Sequence, residues 1–223
     1  MEIIKGEVYH FGTLYWRVLD VKKDKALFIT EDIEYFDAYH ETGEAPAAEF
    51  QYDSYNCEVW EVGEQSAEDK ANAVTWEVCT LRKWLNGEFL CHRGHFDEQD
   101  IDAIVETLLE NKDNPHYNTN GGNPTKDKVF LLSMEEAKKY FRLNRDRVAY
   151  NDVEGEDWWL RTPGDSYGRM RSTACVTDKG SIGKACRHVS TKCGVRPAVW
   201  LNYHDAHIET LLERQKLLER LLK

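Results

Sequence analysis

The stretch WWLRTPG, residues 158–164, sets two large indole rings side by side. Each ring is bulky, and each carries one N–H that needs an acceptor once buried. As a strand, the stretch alternates its side chains. Trp158 and Leu160 then share one face, and Trp159 and Arg161 the other. Both rings are expected to be core, wedged on the two sides of a short strand. Thr162, ahead of Pro163, is pushed into extended geometry, and the proline is expected to end the strand ladder. Arg161 then marks the point where the chain leaves the scaffold, as a structural residue holding that exit.

Outward from this stretch the pattern is of short strands. TACVT, SIGKA and VRPAVWL follow it, punctuated by glycines at 164, 168, 180, 183 and 194. Upstream, EVYHFGTLYWRVLDV and KALFIT alternate and are rich in β-branched and aromatic residues, which predicts an opening β-meander. Residues 31–75 are acidic, Tyr-rich and irregular, and long loops are expected there. TLRKWLNGEFL has helical spacing that Gly87 should interrupt. FDEQDIDAIVETLLENK reads as an amphipathic helix with Asp97 as N-cap and Asp100 at N3. Its expected buried stripe is Ile101, Ile104, Val105, Leu108 and Leu109. HYNTNGGNPTKD reads as loop, and KVFLLS as a short buried strand. Ser133 and Glu136 form a capping box that opens a helix over MEEAKKYF. Strands, helices, then strands again make an α+β layout, with the terminal strands meeting in one sheet. The last stretch, DAHIETLLERQKLLERLLK, is an amphipathic helix that either packs on the domain or joins copies into a homo-oligomer. The expected division is a domain over 1–202 and this helix over 203–223.

With 41% hydrophobic residues in 223, the chain has enough apolar material for one substantial core. No apolar run approaches a membrane span, and MEIIKGEVYHFG lacks the form of a secretory leader. A cytoplasmic protein without membrane contact is the expectation. The six cysteines include no C-x-x-C pair, so idle thiols are expected rather than a disulfide framework.

A net charge of −11 argues against general nucleic-acid binding. The charge is uneven, however. Residues 161–196 hold eight basic and two acidic side chains, so this block is +6 and the remainder is −17. Such a block is a candidate surface for an anionic ligand, or it docks on the acidic part of its own chain.

Few motifs carry chemistry. Cys91, His92 and His95 form one cluster of metal-ligating types, and Cys186, His188 and Cys193 another. Neither has the paired short spacing of a zinc site, and no oxygen-ligand motif for calcium occurs, so no metal and no cofactor are expected. No G-x-S-x-G, phosphate loop or H-E-x-x-H is present. No residue is assigned a catalytic role.

Four ordered blocks, TWEVCTLRKWLNGEFL, GGNPTKDKVFLLSMEEAKKYF, WWLRTPG and GVRPAVWL, resemble a bacterial and phage-associated domain family of unknown function. The resemblance spans about residues 8–202. It implies a C-type-lectin-like fold near the formylglycine-generating-enzyme branch, with Arg196 of the closing Gly-x-Arg element as a structural clamp. It also places the ligand surface on the loops ahead of that element, residues 164–194. The expected function is non-catalytic recognition of an anionic, glycan or protein ligand. The expected contacts are Tyr167, Arg169, Arg171, Lys184, Arg187 and His188. Two alternatives are an oxidase or metal-dependent enzyme of the formylglycine-generating kind, and a structural subunit of a phage or defence assembly.

Overall fold

A computed structural model describes residues 3–41, 73–91, 93–165 and 171–221. The chain opens with the expected meander, β1 (Val8–Phe11), β2 (Leu14–Val21) and β3 (Ala26–Thr30), and then β4 (Tyr35–Ala38). Helix α1 (Thr80–Trp84) runs directly into a π-helical turn over Leu85–Phe89. Gly87 therefore widens the helix rather than breaking it. Next come α2 (Glu98–Ala103), β5 (Thr107–Leu109), β6 (Thr125–Asp127), β7 (Val129–Phe130), α3 (Met134–Tyr140) and α4 (Asn144–Arg147). The strand-rich part holds β8 (Ala149–Asn151), β9 (Glu154–Glu156), β10 (Trp158–Pro163), β11 (Ser172–Val176) and β12 (Ile182–His188). It closes with β13 (Lys192–Val195), β14 (Ala198–Leu201) and the C-terminal helix α5 (Ala206–Leu221).

The architecture is mixed α+β with mostly antiparallel strands. One five-stranded sheet has the order β1-β2-β3-β14-β7 and a second the order β12-β11-β10-β13-β4. The ends of the chain meet in the first sheet, where Ala198 pairs with Ile29 and Leu201 with Ala26. In the second sheet β10 pairs with β13 in parallel, and its other pairings are antiparallel.

Strand β10 is buried along its whole length. Trp158 and Trp159 face opposite sides, and both sides are core. Each indole N–H finds a main-chain acceptor, Arg147 O for Trp158 and Asp37 O for Trp159, both at 2.9 Å. Removing a ring of this size from water contributes about 4–6 kcal/mol as an upper estimate. The ladder does not stop before the proline. Pro163 pairs with Thr173, and the Thr173 hydroxyl donates to Thr162 O at 2.8 Å.

Three expectations are corrected. The helix predicted over 97–113 ends at Ala103. Its capping box forms as read, but Ile104 bridges to Leu201 and Val105 N donates to Trp200 O at 2.8 Å. The end of β14, beyond its pairing with β7, thus captures the main chain and pulls it extended, so tertiary pairing overrides local periodicity. Leu108, expected in the buried stripe, is exposed. The loop read over 116–127 contains β6, which pairs with β5. The cysteines are not all idle thiols, since Cys175 and Cys186 form a disulfide, with Cα atoms 5.5 Å apart. Strands β11 and β12 bring them together across a bulge between Thr173 and Cys175, a proximity that no local spacing encodes. Cys57 and His92 lie outside the described residues.

Helix α5 packs on the domain through its first half. Ile208 and Leu212 are buried in the common core. Gln215 accepts a hydrogen bond from His10 N at 3.0 Å, and Lys216 lies over the Tyr9 ring. Leu217, Leu218 and Leu221 in its last turns are exposed. Among the described residues no helix is long and apolar enough to cross a membrane.

Candidate functional site

The basic block of residues 161–196 divides once folded. Arg161 and Arg196 are buried and serve the scaffold. Arg161 donates to Leu131 O at 2.8 Å and is ion-paired with Glu136. Arg196 donates to Thr30 O and Glu31 O, each at 2.7 Å, and lies between the rings of Phe141 and Trp158. Burial pulls its guanidinium down to about 10, which leaves it charged at neutral pH. A third buried arginine, Arg147, works in the same way, donating to Gly180 O and Phe141 O at 2.7 Å each. It sits two residues before β8, outside the basic block, so charge counting gave no reason to single it out.

Four of the six predicted contact residues fall within the described residues. Tyr167 and Arg169 lie outside the described residues. Arg187 is half-exposed and paired with Asp157 through Nη2 at 2.6 Å. His188 shares a hydrogen bond with Ser190 Oγ at 2.7 Å. Arg171 lies near His40, whose pKa is lowered by burial and then by Arg171 and Lys83. Lys184 stands on the far side, beside His116.

Lys184 leads to a feature that motif reading missed, a cleft of 340 Å³. One wall is β5 and the extended chain to Pro115, the other is the start of α3, and the end of β10 closes it. Asn111, Lys112, Lys138, Arg161, Thr162 and Trp200 are among the lining residues. The α3 wall is fixed by the Ser133–Glu136 capping box and by Met134 N, which donates to Thr162 Oγ1 at 3.0 Å. Glu136 is pushed up by burial, but Arg161 and the cap N–H of Ser133 hold its carboxyl below the usual range. Lys112 and Glu135 join the two walls by an ion pair of 3.0 Å with both side chains well exposed, so the link opens at small cost. Lys22 lies 4.5 Å over the Trp200 ring at one end. Toward the Pro115 and Lys138 part of the lining, His116 is lowered by burial and then by Lys184 and Lys138. Two lysines, Lys138 and Lys184, therefore stand near His116 and this part of the cleft. Its walls are segments distant in sequence, so no local pattern announced it.

Burial pushes the Cys79 thiol up to about 12 and raises Cys193 further, while Cys91 is an exposed free thiol. Of the metal-ligating types singled out in the sequence, His95 bonds Thr13 and Tyr35 through its two ring nitrogens, and Cys186 is taken by Cys175. Among the described residues two groups of potential ligands lie close together, Asp157 with Cys175 and Cys186, and Asp97 with Asp100 and His207.

A family model described as a domain of unknown function (DUF6273) matches residues 23–203. The chain belongs to the DUF6273 family. No curated protein and no solved structure matches it. The matched span contains the cleft lining apart from Lys22, together with β10 and the three buried arginines. Outside it lie β1, β2 and α5, and β1 and α5 contact each other through His10 and Gln215.

Proposed function

We propose that this DUF6273 chain is a non-catalytic recognition domain on a C-type-lectin-like scaffold. It takes an anionic group, carried by a glycan or a protein, at the lysine-bearing end of the cleft and the adjoining segment of residues 164–194. Two lysines near His116, Lys138 of the cleft lining and Lys184, carry this reading. The neighbouring arginine Arg161 is committed to carbonyl and carboxylate partners. An anion entering there meets the ammonium groups of these lysines. The pairing of β14 with β3, which brings the chain ends together, supports the lectin-like scaffold. The oxidase alternative finds less support, because the Cys79 and Cys193 thiols are raised by burial and Cys175 is bonded to Cys186.

The test is binding to an array of sulfated and sialylated glycans. The chain should retain at least one acidic glycan, and Lys138→Glu with Lys184→Glu should weaken it by about tenfold or more, on the scale of 1.4 kcal/mol. If that double variant binds as the parent does while Arg171→Glu with Arg187→Glu abolishes binding, the site lies on the loops and not at the cleft. Binding unchanged in both variants rejects the reading.

A further inference from the structure

We propose that Cys175, Cys186 and Asp157 form a zinc-class divalent metal site when the Cys175–Cys186 disulfide is reduced, so that disulfide and metal exclude each other at one corner of the second sheet. The two sulfurs and an Asp157 carboxylate oxygen all lie within 4.8 Å of one another. Two thiolates and a carboxylate are a donor set suited to zinc. Cys175 lies on β11 and Cys186 on β12, and Asp157 directly precedes β10, so neighbouring strands of one sheet set the three side chains together.

Two further observations concern this corner. The first is packing. A Cβ on Gly183 would stand 2.6 Å from Cys186 Sγ and 3.7 Å from Cys175 Sγ, so the absence of a side chain is what lets the sulfurs lie against this strand. Gly183 is not in the left-handed region, so its backbone does not require glycine.

The second is charge. Arg187 donates to Asp157 Oδ2 from Nε at 2.8 Å, and Asp157 Oδ1 accepts from Asp178 N at 2.8 Å. A carboxylate has about four acceptor positions, so lone pairs remain for a metal. With the disulfide formed, Asp157 and Arg187 sum to zero. With a divalent ion, two thiolates, Asp157 and Arg187 again sum to zero. Both states leave the charges of this corner balanced. The group of Asp97, Asp100 and His207 lacks these features. Its carboxylates already serve the α2 capping box, and Asp100 accepts from or shares a proton with His207.

The chemistry balances. An external dithiol gives two electrons and two protons to the disulfide, yielding the Cys175 and Cys186 thiols and the oxidised, cyclic form of the dithiol. Metal binding then forms two metal–sulfur bonds and releases the two thiol protons, with no change of oxidation state. This inference does not rest on the recognition reading.

The test uses the full chain, reduced with a dithiol, freed of reductant and metal under anaerobic conditions, and titrated with Co²⁺ as the probe. One cobalt per chain, with sulfur-to-cobalt charge-transfer absorption that Zn²⁺ abolishes, is expected. The oxidised chain should show none. Cys175→Ser should lose the absorption and Cys91→Ser should keep it. Arg187→Gln, which removes the partner of a ligand, should weaken binding by about 10- to 100-fold. A reduced chain that takes up no cobalt, folded or unfolded, overturns the proposal. So does the same absorption in the oxidised chain or in Cys175→Ser. The comparison of oxidised and reduced parent chain holds even where a variant fails to fold.

Discussion

Strands β10 and β12 lie two places apart in the same sheet, yet they treat their cations in opposite ways. On β10, Arg161 is enclosed, with a main-chain carbonyl and Glu136 as partners. On the edge strand β12, Arg187 is half-exposed and meets Asp157 at the surface. The same residue type is a structural tie in one place and a surface charge in the other. Arg147 and Arg196 belong with Arg161, since each is buried and donates to main-chain carbonyls of other chain segments. A guanidinium is suited to this because its donors form a rigid fork and it keeps its charge. Counting residues 161–196 as one basic surface merges these two populations.

The contrast can be broken at its strongest point first. Trp158 is fully buried, and Arg196 lies against its ring. Trp158→Ala should cost about 3–5 kcal/mol, read as a fall in the urea midpoint. A cost below about 1 kcal/mol would mean that β10 is not the centre of the core.

A middle-sized effect comes from the Arg161–Glu136 pair. The folded state holds Glu136 below its ordinary pKa, chiefly because Arg161 outweighs burial. The stability this adds is fully present above the unfolded value of about 4.3 and is lost as pH falls through the folded value. Arg161→Met should therefore be less stable than the parent at neutral pH, and the gap should narrow as the medium is acidified below about pH 4.3. Denaturant midpoints across this range measure it. A gap constant with pH would assign the loss to packing alone.

The smallest effect is expected on the edge strand. Arg187→Ala should change stability by about 0–1 kcal/mol, because its ion pair is half-exposed and screened. A loss as large as that of Arg161→Met would erase the distinction between the two strands.

Much of this fold was legible where its causes are local. The meander, the capping boxes at Asp97–Asp100 and Ser133–Glu136, and the burial of the tryptophan pair follow from residues a few positions apart. The candidate site was far less legible. Lys184 was named, but Lys138 and His116 were not, because they join it only through separate elements. Asp157 drew no notice, although it faces Arg187 thirty residues on in sequence. The helix over 97–113 failed for the same reason in reverse. Its apolar spacing suits a helix, yet the end of β14 offered main-chain partners to Ile104 and Val105.

By itself, the sequence determined that the protein is an α+β domain with a tryptophan-rich central strand, glycine-punctuated closing strands and a C-terminal amphipathic helix. Propensity, periodicity and caps act over a few residues and are written in order along the chain. Only the tertiary structure decided which arginines are internal ties, that Cys175 meets Cys186, and where the cleft opens. Burial and pairing depend on which distant segments the two sheets bring into contact, and charge or thiol chemistry takes its character from that contact.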